Sequence, residues 1–479
     1  MTFRWDQPSP PEWSAGKPPP AWAYVVLFLV IECIALGYTV LTWPKGEAIA
    51  SDKFVLSALV VPIVFWLDIS ILMYVALYDI LAFEAAIKNT ARWNLLTRWQ
   101  QRNRMGVAVL DTVIFTPEPD LAERMLKLEG SPPENPGKVM PLADVVASDS
   151  TSRVQALAEK LLTPLVGRLA RVAKNDTFEI VIQCEHAESS AAVLAAWEKL
   201  ELPGKPRIRP ISNDHAPGFA DIWFEDERRV PYPYASYTVD KTPEYRLLLA
   251  WHLNEHEPDA MAVTSEAAVA LLFGSASLLQ EKPGIKPQAW LLRQIVADAD
   301  QTDRSLALLL RAAQVPCERI RHFWHSRLKG IAQHATLGAV RDTDLKVEEH
   351  ALDRAIGPQA PVARWVLQAL AAKMAHFGQG PQLIALPHKN GVSLNVVAKA
   401  PAPVDVPWKS EYQRNPFPAG EISVCALTWQ LVLLLSPNKT WSLFETVFTC
   451  VMIVVVLLVV ALRLFAMRLL TDAVWREYG

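Results

Sequence analysis

The chain begins and ends in stretches too apolar to remain in water. Residues 21–43 read AWAYVVLFLVIECIALGYTVLTW. At about 1.5 Å per residue such a helix is long enough to cross a hydrocarbon layer roughly 30 Å thick. Trp22, Tyr24 and Trp43 fall where aromatic side chains favour the interfaces. Residues 54–83 supply a second apolar stretch after the polar loop PKGEAIASDK, so a helical hairpin is expected. A Pro- and Trp-rich segment precedes the first stretch and no small-residue cleavage site follows it, which argues for a retained anchor rather than a signal peptide.

Near the C-terminus, residues 441–462 (WSLFETVFTCVMIVVVLLVVAL) are strongly apolar, and residues 422–435 (ISVCALTWQLVLLL) form a shorter stretch. Lys88, Arg92, Arg98, Arg102 and Arg104 follow the hairpin, and Arg463, Arg468 and Arg476 follow the last stretch. Basic residues at span ends mark the cytoplasmic side. Both clusters can share that side only if residues 422–435 also cross, turning at Ser436, Pro437, Asn438 and Lys439; a re-entrant segment is the alternative for so short a stretch. The expectation is three or four transmembrane helices in a bacterial inner membrane, with the lipid bilayer as one partner and the soluble part in the cytoplasm. Glu32, Asp68 and Glu445 lie within or near these spans, where a carboxylate is expensive. A proton or cation relay and hydrogen bonding between helices both account for them, and we expect packing.

The middle of the chain has an ordinary soluble composition. Lys plus Arg (47) nearly balance Asp plus Glu (50), and no basic stripe interleaved with aromatics appears, so no nucleic-acid partner is expected. Cys33, Cys425 and Cys450 belong to the apolar stretches or adjoin them; Cys184 and Cys317 are left, without CxxC spacing, so neither a disulfide framework nor a zinc knuckle is indicated. GxSxG, Walker and GxGxxG patterns are missing, and no cofactor is expected.

Strand-like and helix-like segments alternate from residue 106 onward. GVAVLDTVIFTP (106–117) reads as a buried strand, 118–140 as a Pro- and Gly-rich loop, 152–172 as an amphipathic helix and FEIVIQ (178–183) as a strand. A helix at 191–202 and a strand at 205–211 follow. Residues 245–253 read as a strand, 267–273 and 289–297 as apolar runs, 304–313 as a helix and 320–324 as a strand. A long helix at 363–377 then precedes strands at 382–386 and 393–398, joined through His388-Lys389-Asn390-Gly391, where Asn-Gly signals a hairpin. Alternation of this kind predicts an α/β domain with a mixed or parallel sheet.

The order of elements resembles the thiolase and β-ketoacyl synthase family, most closely over residues 245–400. TSEAAVALLF (264–273) resembles that family's strand signature, QTDRSLALLLRAAQVPCERIRHFWHS its helix, turn and strand, and LPHKNGVSLNVVAKA its closing turn and strand. The resemblance implies a layered α/β fold of two similar halves packed face to face. It also implies a cysteine nucleophile at the N-terminus of a central helix, where the helix dipole stabilises a thiolate. No segment here supplies one. Cys184 ends a strand and Cys317 sits in a Pro turn; the family's first histidine would fall near His325, and PVARWVLQALAA offers an arginine and a tryptophan where the second would stand. No catalytic residue is therefore assigned.

Other constellations were weighed. His252 and His256 in WHLNEHE are spaced for one face of a helix, but the order is not HExxH and the segment reads as a strand end, so no metal site is assigned. His322, His325 and His334 stand near Arg321 and Arg327; His325, Arg321 and Arg327 form a candidate anion or acyl site, with a solvated basic face as the alternative. Among seventeen tryptophans and several exposed-looking tyrosines, the segment RRVPYPYASY offers Arg228, Tyr232, Tyr234 and Tyr237 as a candidate partner-binding surface, with a loop packed on its own domain as the alternative.

These readings divide the chain into an N-terminal tail (1–20), a transmembrane hairpin (21–83), a basic juxtamembrane segment (84–105), a thiolase-like α/β domain (106–400), a linker (401–421), C-terminal membrane segments (422–462) and a basic tail (463–479). The expected function is a membrane-anchored, non-catalytic binding or adaptor protein with a protein partner. Its architecture resembles that of membrane proteins accompanying type VI secretion effectors as adaptors or immunity factors, which makes a secreted effector the narrower partner. The alternative is an acyl-transferring enzyme of the thiolase superfamily at the membrane surface.

Overall fold

The computed structural model describes residues 3–478 except 47, 50, 148–150, 175–177, 184–187, 212–242, 255–261, 390, 415–416 and 436–440. Two apolar helices come first, α1 (Ala21–Thr42) and the long α2 (Asp52–Asn103). Then follow β1 (Gly106–Phe115), α3 (Arg153–Leu162), α4 (Val166–Val172), β2 (Phe178–Gln183), α5 (Ser189–Lys199), β3 (Arg207–Ile211), β4 (Tyr245–His252) and β5 (Ala267–Gly274). A second series comprises β6 (Ala289–Leu292), β7 (Ile295–Asp298), α6 (Thr302–Arg311), β8 (His322–His325), α7 (Gly330–Arg341), β9 (Glu348–Ala351), α8 (Ala363–His376), β10 (Gln382–His388) and β11 (Gly391–Ala398). Helices α9 (Ala419–Leu435) and α10 (Leu443–Tyr478) close the chain. Two compact units result: Met1–Gln7 with Gln100–Val404, and Pro8–Trp99 with Asp405–Gly479.

In the first unit the strands run in the order β3-β2-β4-β5-β1-β6-β11-β10-β8-β9, with β7 beside β11. Read outward from the middle, the two sides repeat one topology. On one side β1 is antiparallel to β5, β5 antiparallel to β4, and β4, β2 and β3 are parallel. On the other, β6 is antiparallel to β11, β11 antiparallel to β10, and β10, β8 and β9 are parallel. Antiparallel pairing of β1 with β6 joins them. The α/β class with two similar halves is thus written in the strand pairing itself.

Alternation along each strand explains the layers, because successive side chains point to opposite faces. Val181, Leu248, Ala250, Val269 and Leu271 from the first half share one core with Ile384 and Leu386 from the second, and α8 fills the space between through Val366, Leu367, Leu370 and Met374. That placement is why α8 is apolar on nearly every side. Opposite-facing residues Ile180, Ile182, Leu247 and Leu249 bury beneath α3, α4 and α5 through Leu157, Leu161, Leu169 and Trp197. In the second half Phe323, Leu383 and Leu394 pack under α6 and α7 through Leu306, Leu309 and Val340. The strands form one 11-stranded sheet, with α8 on one face and α3–α7 on the other.

The interval between β3 and β4 lies mostly outside the described residues. Arg228, Tyr232, Tyr234 and Tyr237 lie in it, as Cys184 and His256 lie in other undescribed segments. The run 289–297 divides into β6 and β7, and residues 267–273 form a full strand, β5. Short helices at Leu121–Met125, inside the stretch read as a loop, at Ala276–Glu281 and at Leu352–Ile356 went unread in the sequence, as did α7 and β9. Helix α7 carries Gly330 and Gly338, which weaken its helical signal, and β9 is the polar edge strand Glu-Glu-His-Ala.

The buried carboxylates Glu179 and Glu266 are paired with arginines. Glu266 is fully buried and takes two bonds from Arg153, Nη1 to Oε1 at 2.7 Å and Nη2 to Oε2 at 2.6 Å, plus the backbone N–H groups of Leu142 (2.7 Å) and Asn254 (2.8 Å). Burial alone opposes its charge; Arg153 and the two N–H groups outweigh burial and hold its pKa below the ordinary 4.5. A depressed carboxylate adds stability that is present above its unfolded pKa and lost as pH falls through the folded one. Glu266→Gln is therefore expected to cost about 3 kcal/mol near neutral pH, because Arg153 loses its anion. Denaturant unfolding of the detergent-solubilised chain checks this, and the gap to wild type closes as pH drops below 4.5.

Gly357 has a backbone requirement of its own. Its φ is +75°, and a Cβ there would come within 1.9 Å of the Lys138 carbonyl oxygen. Gly357→Ala is expected to lower the unfolding temperature markedly, since strain and overlap add.

In the second unit α1, α2 and α10 are long and apolar enough to cross a membrane; α9 is shorter. Leu41 (87% exposed), Leu443 (80%) and Leu457 (65%) show how little protein covers them. Polar groups tie these helices together. The Trp66 indole donates to the Tyr24 carbonyl at 2.9 Å, Gln430 to Asp68 at 2.6 Å, and Trp429 to Thr449 at 3.0 Å. Asp68 thus has a packing partner, and Glu445 accepts the Ser442 N–H at 2.8 Å at the start of α10. The N-terminal tail is strapped along α2: Trp13 and Asn89 exchange two hydrogen bonds (2.9 and 2.8 Å), Lys88 lies 3.8 Å from the Trp13 ring centroid, and Arg92 donates to the Pro10 carbonyl at 2.8 Å.

Candidate functional site

Two polar clusters in the first unit stand out from its apolar layers. The first surrounds the N-terminus of α8. Arg364 donates to the Pro387 carbonyl at 3.3 Å, and the Trp365 indole donates to the side chain of Gln183 at the end of β2. Burial, and next the nearby Arg327 guanidinium, lower the Arg364 pKa to about 10. Burial, then Arg364 and Lys389, push His388 below its ordinary value. Arg327, at φ +58°, donates its backbone N–H to Asp353 at 2.7 Å. The completely buried Ser326 precedes it. Arg327, Arg364 and Lys389 make this pole cationic beside His388, whose charged form Arg364 and Lys389 disfavour, and ends of parallel strands are where α/β folds commonly hold ligands.

The second cluster lies at β8 and β9. Register pairs His322 with Glu348 and Trp324 with His350. Because alternate residues share a face, His322, Glu348 and His350 project together. His322 Nδ1 stands 3.0 Å from His350 Nε2, and the three side chains offer ligand atoms within 4.8 Å of one another. Burial, then the His322 charge, lower His350 to about 4. His322 is lowered by burial first, whereas the Lys127 ammonium, 2.6 Å away, holds Glu348 in its charged form. His322 and Glu348 open on a cleft of about 1010 Å³ lined also by Cys317, Glu318, Arg321, Asp342 and Asp344.

The anticipated trio is distributed between these places. Arg321 lines the cleft; Arg327 lies by the α8 pole; His325 is buried, with Nε2 3.0 Å from Glu349 Oε1 and its ring stacked 5.5 Å from Phe323, on the opposite face of β8 from Trp324. Four residues of strand separate Arg321 from His325, roughly 13 Å. Sequence reading grouped histidines by proximity along the chain and passed over Glu348 and His350. The available signal was the i,i+2 spacing of Glu348 and His350, which only matters once the segment is a strand.

Cys317 sits at the cleft edge, its thiol donating to the Leu310 carbonyl at 3.2 Å. Burial, then Glu318, push its pKa above the ordinary 9.0, the opposite of an activated nucleophile. Its alkylation rate is expected to keep climbing with pH past 9 without levelling off below it, read by mass spectrometry of the labelled peptide.

No family model matches the sequence, and no curated protein matches it. Similar solved structures include an oxazolomycin ketosynthase domain from Streptomyces albus, at 13% identity and TM-score 0.42, covering 63% of this chain and 98% of that one. A ketosynthase from module 1 of the bacillaene synthase of Bacillus amyloliquefaciens aligns at 10% identity and TM-score 0.43 over 61% and 75%. The peroxisomal 3-ketoacyl-CoA thiolase of Saccharomyces cerevisiae, a five-layered structure of two core domains of identical topology, aligns at 9% identity and TM-score 0.39 over 61% and 97%. At these values the likeness says nothing of activity, and the two-half architecture rests on the strand pairing of this chain.

Proposed function

We propose that the protein is a non-catalytic binding or adaptor protein, held in a bacterial inner membrane by its apolar helices, with the α/β unit facing the cytoplasm. The observation that carries the reading is the make-up of the α8 pole. Arg364 and Trp365 occupy the start of the helix, and Arg327 and Lys389 add positive charge around it, beside the imidazole of His388. Guanidinium and imidazole groups near a helix N-terminus suit a carboxylate or other anion carried by a partner. Acyl transfer would instead need an activated thiol, and Cys317 has the opposite character. An acidic segment of a protein partner is the occupant this chemistry favours. The narrower form, an accessory or immunity factor in type VI secretion with a secreted effector as partner, rests on architecture alone.

Intact-mass measurement after incubating the solubilised chain with acyl-coenzyme A tests the reading. No covalent adduct is expected; an acyl group on Cys184 or Cys317 overturns it in favour of the acyl-transferring enzyme. Orientation has its own check. Protease should cut the α/β unit in inverted membrane vesicles and spare it in intact spheroplasts, since Lys88, Arg92, Arg98 and Arg463, Arg468, Arg476 follow apolar spans.

A further inference from the structure

We propose that His322, His350 and Glu348 form a binding site for a divalent transition-metal cation of the zinc class, open on one side to the cleft beside β8. The donor set is two imidazole nitrogens and one carboxylate oxygen, a combination that recurs in sites keeping an open coordination position. The three side chains come from adjacent parallel strands in register, so the backbone fixes their spacing. Two nitrogens bound at about 2.0–2.1 Å to one tetrahedral Zn²⁺ lie roughly 3.4 Å apart; His322 Nδ1 and His350 Nε2 are 3.0 Å apart. A shift of a few tenths of an ångström converts one arrangement into the other.

The surroundings fit a cation as well as the distances do. Imidazole binds metal in its neutral form, which the burial of both rings favours. His350 closes the site from the protein side, 4% exposed, with its ring 4.7 Å from Trp324. Trp324 is itself fixed by a 2.8 Å hydrogen bond from its indole to Gln382 Oε1, so the inner ligand has a rigid wall behind it. Glu348 gives one oxygen to Lys127, whose side chain is 63% exposed and free to swing into solvent, and an ionised carboxylate retains capacity for a metal. Glu318, Asp342 and Asp344 line the same cleft and offset the positive charge of Arg321 and Lys346. A hydrogen bond between two neutral imidazoles is the competing account of the 3.0 Å contact; it leaves the convergence of Glu348 on the same face unused.

Isothermal titration of the chelator-treated, full-length protein in detergent with zinc chloride tests the site. One equivalent of Zn²⁺ is expected to bind. His322→Ala and Glu348→Gln, both at partly exposed positions, should each weaken binding at least about tenfold, while the thermal unfolding of the metal-free chain stays as in wild type. Titration with Co²⁺ should give the visible absorption of a low-coordinate cobalt site in wild type and lose it in both variants. Absence of Zn²⁺ binding, or affinity unchanged in both variants, overturns the proposal.

Discussion

Removing apolar side chains from water governs both units of this chain, and it is satisfied in two different ways. In the α/β unit, strands alternate their side chains between an inner core around α8 and outer cores under the flanking helices, so continuous apolar strands become completely buried. At roughly 25 cal/mol per Å² this burial is the dominant favourable contribution. In the second unit Val, Leu and Ile side chains of α1, α2 and α10 remain exposed along their helices. Exposed apolar helices of that length are stable only in a solvent that is itself apolar. The fold of the first unit and the location of the second therefore follow from one energetic requirement.

Within the α/β unit the second half gathers chemically unlike groups in two places. Strand ends and the start of α8 gather Arg327, Arg364 and His388, a pole suited to anions. The outer strands β8 and β9 gather two imidazoles and a carboxylate, which suit a cation. Opposite preferences in one unit are compatible because each set has its own partners: Glu349 takes His325, Lys127 takes Glu348, and Asp353 takes the Arg327 N–H. Neither set needs a reactive thiol.

Much of this architecture was legible in the sequence, for physical reasons that differ by element. Apolar runs such as 178–183 and 245–252 read as strands because both faces are buried, and α8 read as a helix because its length exceeds a strand's. The structure starts α3 at Ser152, whose hydroxyl accepts the Gln155 N–H. The edge strand β9 was illegible: it presents Glu348 and Glu349 to solvent and has no alternation of apolar residues to detect. The metal-ligand candidates sit there, so they stayed hidden for the same reason. His325 was grouped with Arg321 and Arg327 by sequence distance, which a strand's alternation does not respect. The partner role of the N-terminal tail was equally hidden, because Trp13 and Arg92 find their partners only when α2 is built.

The two clusters depend on a α/β unit that folds in water while its neighbouring helices do not, so the partition of the chain is the claim on which the account stands. Alkaline carbonate washing of membranes from cells expressing the full-length chain addresses it directly. The chain should stay in the pellet and enter solution only with detergent. Recovery of monodisperse full-length protein in the detergent-free wash would contradict the account.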